Sequence, residues 1–279
     1  MISHDIRIIA LDLDGTLLDS EKRISPRNRA ALEDAASRGI LVVPTTGRFY
    51  AAIPAVVRDL QFVRYAVTSN GASVFDRVEN RSVSEIPIPL HAALDILDAL
   101  GSFDCICDCY MDDWGWNSES NVEKADEYAP DAHYAAMIRD LRTHVPSLRD
   151  HLLATGHDVQ KILAYVKDPS LYDRIVEAVA AVAPGTVATA SNSRMFEFNA
   201  AGAHKGAALQ RLAESLGFGM QNVMAFGDGL NDLTMVRDSG LGVAMANAAP
   251  QVLSAARFVA PSNDDDGVAV ALERFLPRR

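Results

Sequence analysis

Ile6-Arg7-Ile8-Ile9-Ala10-Leu11-Asp12-Leu13-Asp14-Gly15-Thr16-Leu17 is the stretch on which the reading of this chain turns. The run from Ile6 to Leu11 has the length and β-branched content of a buried strand, and Gly15 then breaks the pattern. Two carboxylates, Asp12 and Asp14, stand where the strand ends. In open α/β sheets ligands gather at the carboxyl ends of strands, so chemistry is expected here. An aspartate attacks phosphorus when a nearby cation keeps it ionised and screens the incoming phosphate. A D-x-D-G stretch taken alone also fits a surface turn or a calcium loop.

Outward from this stretch the same rhythm repeats. Ser25-Pro26 reads as a helix cap followed by proline at the first helical position, with Gly39 as terminator. Ile40-Leu41-Val42-Val43 is a second buried strand, ending in Pro44-Thr45-Thr46-Gly47-Arg48. A hydroxyl and backbone N–H groups at such a strand end can hold a phosphate oxygen, and an ordinary helix cap reads the same way. Tyr65-Ala66-Val67-Thr68 leads into Asn70-Gly71, a hairpin signal. The β-α-β-α-β order predicts an α/β fold with a doubly wound parallel sheet and helices on both faces.

Near Ile86-Pro87-Ile88-Pro89 the rhythm changes. The following residues mix helices (about 90–100 and 170–182) with strands (103–111 and 160–166), without a carboxylate pair and glycine turn at any strand end. We read an inserted α/β domain over 85–187, with the core comprising 1–84 and 188–279. The core resumes with the strand-like Met195-Phe196-Glu197-Phe198 and a helix opening at Ala201-Gly202-Ala203-His204-Lys205-Gly206. A lysine at a helix N-terminus opposes the helix dipole unless an anion sits beside it, and a solvated lysine is the alternative. Asn222-Val223-Met224-Ala225-Phe226 then delivers Gly227-Asp228-Gly229-Leu230-Asn231-Asp232, a second acid-rich strand end. Leu241–Met245 is the fifth strand, and Asp264-Asp265-Asp266 reads as a solvated loop and helix start.

If these ends converge, Asp12, Asp14, Asp228 and Asp232 meet one lysine. Four close carboxylates repel unless a divalent cation joins them, and Mg2+ suits oxygen ligands beside a phosphate. Asp12 is then the nucleophile, and Asp14 gives a proton to the leaving oxygen and later takes one from water. Thr46, Lys205, Asn231 and backbone N–H groups of the first loop are candidates for the phosphoryl oxygens.

Taken together, D-L-D-G-T-L at 12–17, T-T-G-R at 45–48, H-K-G at 204–206 and G-D-G-L-N-D at 227–232 resemble the four ordered motifs of the haloacid dehalogenase (HAD) superfamily. The Asn70-Gly71-Ala72 turn, the long insert and F-E-F before A-G-A-H-K-G are similar to the Cof-type sugar phosphatases. The resemblance implies a Rossmann-like core with a class IIB α/β cap and magnesium-dependent hydrolysis through an aspartyl-phosphate. It implies Asp12 as nucleophile and metal ligand, Asp14 as acid/base and metal ligand through its carbonyl, Asp228 as metal ligand and Asp232 as supporting carboxylate. Leu13 (through its N–H), Thr46, Gly47, Lys205 and Asn231 are implied to contact phosphate. A cap of this kind closes over the site and chooses the leaving group. The acid at position 14, in a loop that continues Gly15-Thr16, separates the chain from the cation-pumping ATPases.

Composition narrows the partners. The 279 residues carry a formal net charge of −11, which argues against nucleic acid or anionic membrane. No run approaches 18 apolar residues and no signal segment stands at the start, so a soluble cytoplasmic protein, monomer or homodimer, acting on a small-molecule phosphate ester is expected. Cys105, Cys107 and Cys109 alternate along one expected strand and read as reduced thiols in a core-facing stripe. Cys105 and Cys109 would lie about 13 Å apart, too far for one metal. Asp112, Asp113, Trp114, Trp116 and Lys161 of the insert are read as surface or packing residues. The competing functions are a phosphomutase, a non-catalytic phosphometabolite-binding regulator, and a dehalogenase, which needs no magnesium.

Overall fold

A computed structural model describes residues 5–276, which form two compact units. The first comprises the chain up to Arg48, Ile53–Ser84 and the residues from His204 onward; the second comprises Phe49–Ala52 and Glu85–Ala203.

In the first unit five parallel strands lie in the order Phe258–Ala260, Leu241–Met245, Val223–Gly227, Ile8–Leu11, Leu41–Pro44. From the Ile8 strand the chain first moves to the Leu41 strand on one side, and it later returns to the Val223 strand on the other. That reversal of direction makes a crevice at the carboxyl ends of the two neighbouring strands. Register fixes the site: Leu11 lies opposite Phe226, and the N–H of Asp12 donates to the Phe226 carbonyl at 3.0 Å. The acids following both strands therefore emerge side by side. Ile8 and Ala10 share a cluster with Val223, Ala225, Leu209 and Met235, so the helices Lys205–Ser215 and Leu233–Asp238 cover that face. Ile9 and Leu11 point to the opposite face and are equally buried. The helices Pro26–Ser37 and Gly267–Phe275 pack on each other, with Asn28 accepting the Ala269 N–H.

Ser25 caps its helix as expected, its hydroxyl accepting from the Asn28 N–H at 3.0 Å. Tyr65–Thr68 meets the core sheet through one parallel bridge, Val67 to Thr45, and pairs antiparallel with Ser73–Asp76. Thr68 faces Ser73, so the hairpin loop has four residues, Ser69 to Ala72, instead of two. Gly71 is required there. Its φ is +99°, and a Cβ would lie 2.4 Å from the His204 carbonyl oxygen. The strands Arg81–Glu85 and Phe258–Ala260 were not expected from sequence; both are short edge strands.

The second unit is built on a six-stranded sheet ordered Thr186–Asn192, Met195–Ala200, Lys161–Val166, Cys105–Met111, Trp114–Ser118, Thr143–Val145. All pairs are antiparallel except the last. The helices Leu90–Leu100, Leu148–Thr155 and Tyr172–Val182 pack together. One expectation is corrected. Met195–Ala200 belongs to this sheet and not to the core, because Phe198 pairs with Ile162 and Glu197 forms a buried ion pair with Lys161 at 2.8 Å. The chain thus rejoins the first unit at His204, later than the position 188 read from sequence.

Candidate active site

Asp12 follows the Ile8–Leu11 strand, and the turn after it is closed by backbone bonds from Leu17 N–H to the Asp12 carbonyl and from Leu18 N–H to the Leu13 carbonyl. Gly15 is the residue this turn depends on. Its φ is +84°, and a Cβ would sit 2.5 Å from Asp228 Oδ2. Only a residue without a side chain lets the first loop come so close to the second acid-rich loop. Asn247 braces the same turn by donating to the Gly15 carbonyl at 2.8 Å.

The expected convergence is present for three of the four acids. Asp12, Asp228 and Asp232 each offer one oxygen, and these atoms all lie within 4.8 Å of one another. Lys205 is fully buried between them, its Nζ 2.6 Å from Asp12 Oδ1 and 2.5 Å from Asp232 Oδ1. This explains a lysine at the N-terminus of the Lys205–Ser215 helix: the anions beside it are two carboxylates. His204 caps that helix, its Nδ1 accepting the Ala207 N–H. Asp232 Oδ2 accepts the N–H groups of Asp228 and Gly229, both at 2.9 Å. With both oxygens engaged, Asp232 positions the lysine and the Asp228 loop. Asp228 Oδ1 accepts from the Thr16 hydroxyl at 2.7 Å.

Asp14 stands apart. Its carboxylate faces Arg48, with Nη2 at 2.9 Å, and Lys22, with Nζ at 2.7 Å. Its side chain is absent from the three-acid cluster. The two environments push the two aspartates in opposite directions. Burial, followed by the charge of Asp232, raises the Asp12 carboxyl well above the ordinary carboxylate range against the pull of Lys205. Burial also acts on Asp14, but Arg48 and Lys22 outweigh it and hold that carboxyl below its usual value. Burial lifts Asp228 to about 6. Lys205 is buried, yet its two aspartates raise it and keep it charged.

Three carboxylates against one ammonium leave two negative charges in a buried cluster. A hard divalent cation fits this donor set, because the oxygens are grouped within coordinating reach and the one ammonium offsets only one of the three carboxylates.

The phosphate-side candidates are also placed. Thr46 is buried, its Oγ1 accepting the Arg48 N–H at 3.2 Å and its carbonyl accepting the Asn70 N–H at 3.1 Å. Asn231 Nδ2 donates to Asn70 Oδ1 at 3.3 Å. Leu13 is fully buried and Gly47 lies in the turn between Thr46 and Arg48. Sequence reasoning missed Arg48, Lys22, Asn70, Asn247 and the carboxylate bond of Thr16. Arg48, Thr16 and Asn70 lay inside quoted motifs, so a search for a partner to each motif acid would have reached them; Lys22 and Asn247 carry no such signal. In the second unit, Lys161 is in a buried ion pair, Trp116 lies against His151 with ring centroids 4.2 Å apart, and Asp112 and Asp113 form a left-handed two-residue turn. The acidic run Asp264–Asp266 is bonded, not merely solvated: Asp264 accepts from Ser20, and Asp266 from the Ser25 hydroxyl.

The family model for haloacid dehalogenase-like hydrolases matches residues 9–272. This chain belongs to that family. The 5-amino-6-(5-phospho-D-ribitylamino)uracil phosphatase YcsE of Bacillus subtilis is 31% identical over 275 residues, 98% of this chain and 96% of its own. The pyridoxal phosphate phosphatase YbhA of Escherichia coli is 28% identical, with 94% and 96% covered. A solved haloacid dehalogenase-like hydrolase of B. subtilis superposes with a TM-score of 0.82 at 28% identity, covering 96% of this chain and 99% of that one. Within the HAD superfamily the chain is a phosphoric monoester hydrolase of the Cof-like type. Its fold is the parallel core sheet with helices, and the six-stranded sheet with its helices forms a cap domain. Among the described residues no helix is long and apolar enough to cross a membrane.

Proposed function

We propose that this HAD hydrolase is a magnesium-dependent phosphatase of small phosphorylated metabolites that works through an aspartyl-phosphate on Asp12. The observation that carries the reading is the convergence of Asp12, Asp228 and Asp232 around a buried Lys205 at adjoining strand ends. Lys205 holds Asp12 Oδ1, which leaves Oδ2 as the oxygen to attack phosphorus. Asp12, Asp228 and the carbonyl of Asp14 would hold Mg2+, with Asp232 in support. When bound, the cation screens the repulsion between the nucleophile and the phosphate dianion and stabilises charge on the transferring oxygens.

Asp12 Oδ2 attacks phosphorus and the bond to the leaving oxygen breaks. That oxygen takes a proton from Asp14. Water, deprotonated by Asp14, then attacks the acyl phosphate, phosphate leaves and Asp12 is regenerated. The ion pairs of Asp14 belong to this cycle. A substrate dianion competes with Asp14 for Arg48 and Lys22, and as they turn to substrate the carboxyl is released to exchange protons. Thr46, Gly47, Lys205, Asn231 and the Leu13 N–H complete the phosphate set.

The leaving group is a small polar molecule bearing a phosphate monoester, with sugar phosphates the first class to test. The ribityl phosphate and pyridoxal phosphate named for the relatives are monoesters of this kind. The acidic composition argues against nucleic-acid or anionic-membrane partners, and the cytoplasm is the proposed location.

The test is phosphate release from sugar phosphates, pyridoxal phosphate, nucleotides and an aryl phosphate, with Mg2+ or chelator, for wild type and Asp12→Asn. Turnover that needs Mg2+ and vanishes in Asp12→Asn is expected. Equal activity of Asp12→Asn refutes the aspartyl-phosphate. Transfer of the phosphoryl group to sugar instead of water makes the enzyme a phosphomutase, and tight binding without turnover makes it a regulator.

A further inference from the structure

The motif Cys105-Ile106-Cys107-Asp108-Cys109 takes no part in the hydrolysis. It lies on the Cys105–Met111 strand of the second unit, and all three cysteines are free thiols. Cys109 is fully buried, whereas Cys105 and Cys107 are half-buried with their Sγ atoms 3.8 Å apart. The distance is informative. Two sulfur ligands each about 2.3 Å from a tetrahedral ion stand about 3.8 Å apart, so this pair already has the spacing of one edge of a thiolate metal site. The sequence argument against a metal concerned Cys105 and Cys109 and does not touch the neighbouring pair.

We propose that Cys105 and Cys107 form a two-thiolate chelate for a thiophilic d10 metal ion of the Zn2+ or Cd2+ class. Both thiols lose their protons on binding, so each divalent ion taken up releases two protons and forms two metal–sulfur bonds. Solvent fills the remaining positions, since among the described residues no third His, Cys, Asp or Glu is grouped with the pair. Cys105 donates to the Leu100 carbonyl at 3.4 Å, and Cys107 stands in hydrogen-bond contact with Cys105. That contact eases loss of the Cys105 proton, while Cys107, bonded to Cys105 and partly desolvated, holds its own harder, so uptake strengthens with rising pH.

The competing use of such a pair is a disulfide, and the strand opposes it. Same-face neighbours on a strand have Cβ atoms about 6.8 Å apart, whereas a disulfide needs about 3.5–4.5 Å. Closing the bond would buckle the chain at Ile106, which is paired in register with Tyr165. A bridging metal needs no such movement. The site is also independent of the carboxylate cluster, whose oxygens select hard ions while thiolates select soft ones.

The experiment is a Cd2+ titration of the reduced, chelator-treated full chain in excess Mg2+, followed by the ultraviolet sulfur-to-cadmium charge-transfer band, which carboxylates do not produce. The band should saturate at one Cd2+ per chain. Cys105→Ser and Cys107→Ser should each weaken binding about tenfold or more, and Cys109→Ser and Asp12→Asn should leave it unchanged. No band, or a band insensitive to both serine variants, overturns the proposal. On wild-type protein, one equivalent of Cd2+ should slow alkylation of Cys105 and Cys107 by iodoacetamide about tenfold, read by peptide mass. Equal alkylation rates, or a Cys105–Cys107 disulfide formed in place of the adduct, refute it even if a variant fails to fold.

Discussion

Replacing Lys205 by Met keeps the apolar stem and deletes one ammonium at the centre of the site. The side chain is fully buried and touches Asp12 Oδ1 at 2.6 Å and Asp232 Oδ1 at 2.5 Å. Without it, three carboxylates within 4.8 Å have no positive partner in the cluster. Removing one member of a buried ion pair costs about 3–5 kcal/mol, because the group left behind remains desolvated. Two carboxylates lose their partner here, so the upper half of that range is expected in chelator. Saturating Mg2+ supplies the missing charge and restores part of it; a ligand at a hundred times its Kd contributes about 2.7 kcal/mol. Activity should fall about 10²–10³-fold, the usual effect of deleting one donor to the transferring group. Urea unfolding followed by far-ultraviolet circular dichroism, with and without Mg2+, measures the stability change. Both tryptophans, Trp114 and Trp116, lie in the second unit, so tryptophan fluorescence should shift less than the dichroism. A loss below about 1 kcal/mol in chelator, or a loss that Mg2+ leaves unchanged, would refute the account of Lys205 as the charge partner of Asp12 and Asp232.

Gly15→Ala places a Cβ 2.5 Å from Asp228 Oδ2 at a backbone φ of +84°; it should lower stability by about 1–2 kcal/mol and raise the Mg2+ needed for half-maximal activity, seen in a Mg2+ titration of phosphate release. In metal-free protein Asp228 titrates near 6 when folded against an ordinary value of 3.8. The folded state then holds the extra proton between those values, so this group makes stability fall as pH rises from about 4 to about 6. Chelator-treated protein melted across that range should show the decline, with Mg2+ reducing it at the upper end. In the second unit Arg142 Nε meets Asp108 Oδ2 at 2.7 Å with both side chains buried; Arg142→Met alone should cost about 3–5 kcal/mol, and adding Asp108→Leu should recover much of it, as urea unfolding of the two variants by tryptophan fluorescence would show.

The frame of the candidate site is legible in the sequence because its signals are local. A buried strand reads as an apolar run, and a carboxylate beside glycine at its end reads as a site, so Asp12, Asp228 and Asp232 stand out together in the sequence. Lys205 was noticed because a cation at a helix N-terminus contradicts local electrostatics, and the structure shows the two carboxylates that resolve the contradiction. Asp14 was grouped with the same acids, but its carboxylate is held by Arg48 and Lys22, 34 and 8 residues away in the chain. Spacing along a sequence gives no bearing for a side chain, and charge partners chosen across the fold set its direction. The same limit misplaced Met195–Ala200. Its alternation says strand, but only pairing with Lys161–Val166 says which sheet. Likewise, the cysteine stripe gave the face of the strand, whereas the 3.8 Å between Cys105 and Cys107 depends on rotamers set by packing. Sequence by itself determined the alternation of elements and the residues delivered at strand ends, because backbone periodicity is local. Sheet membership, the partners of Asp14 and the meeting of two thiols were decided only by tertiary structure, because they depend on which distant surfaces pack together.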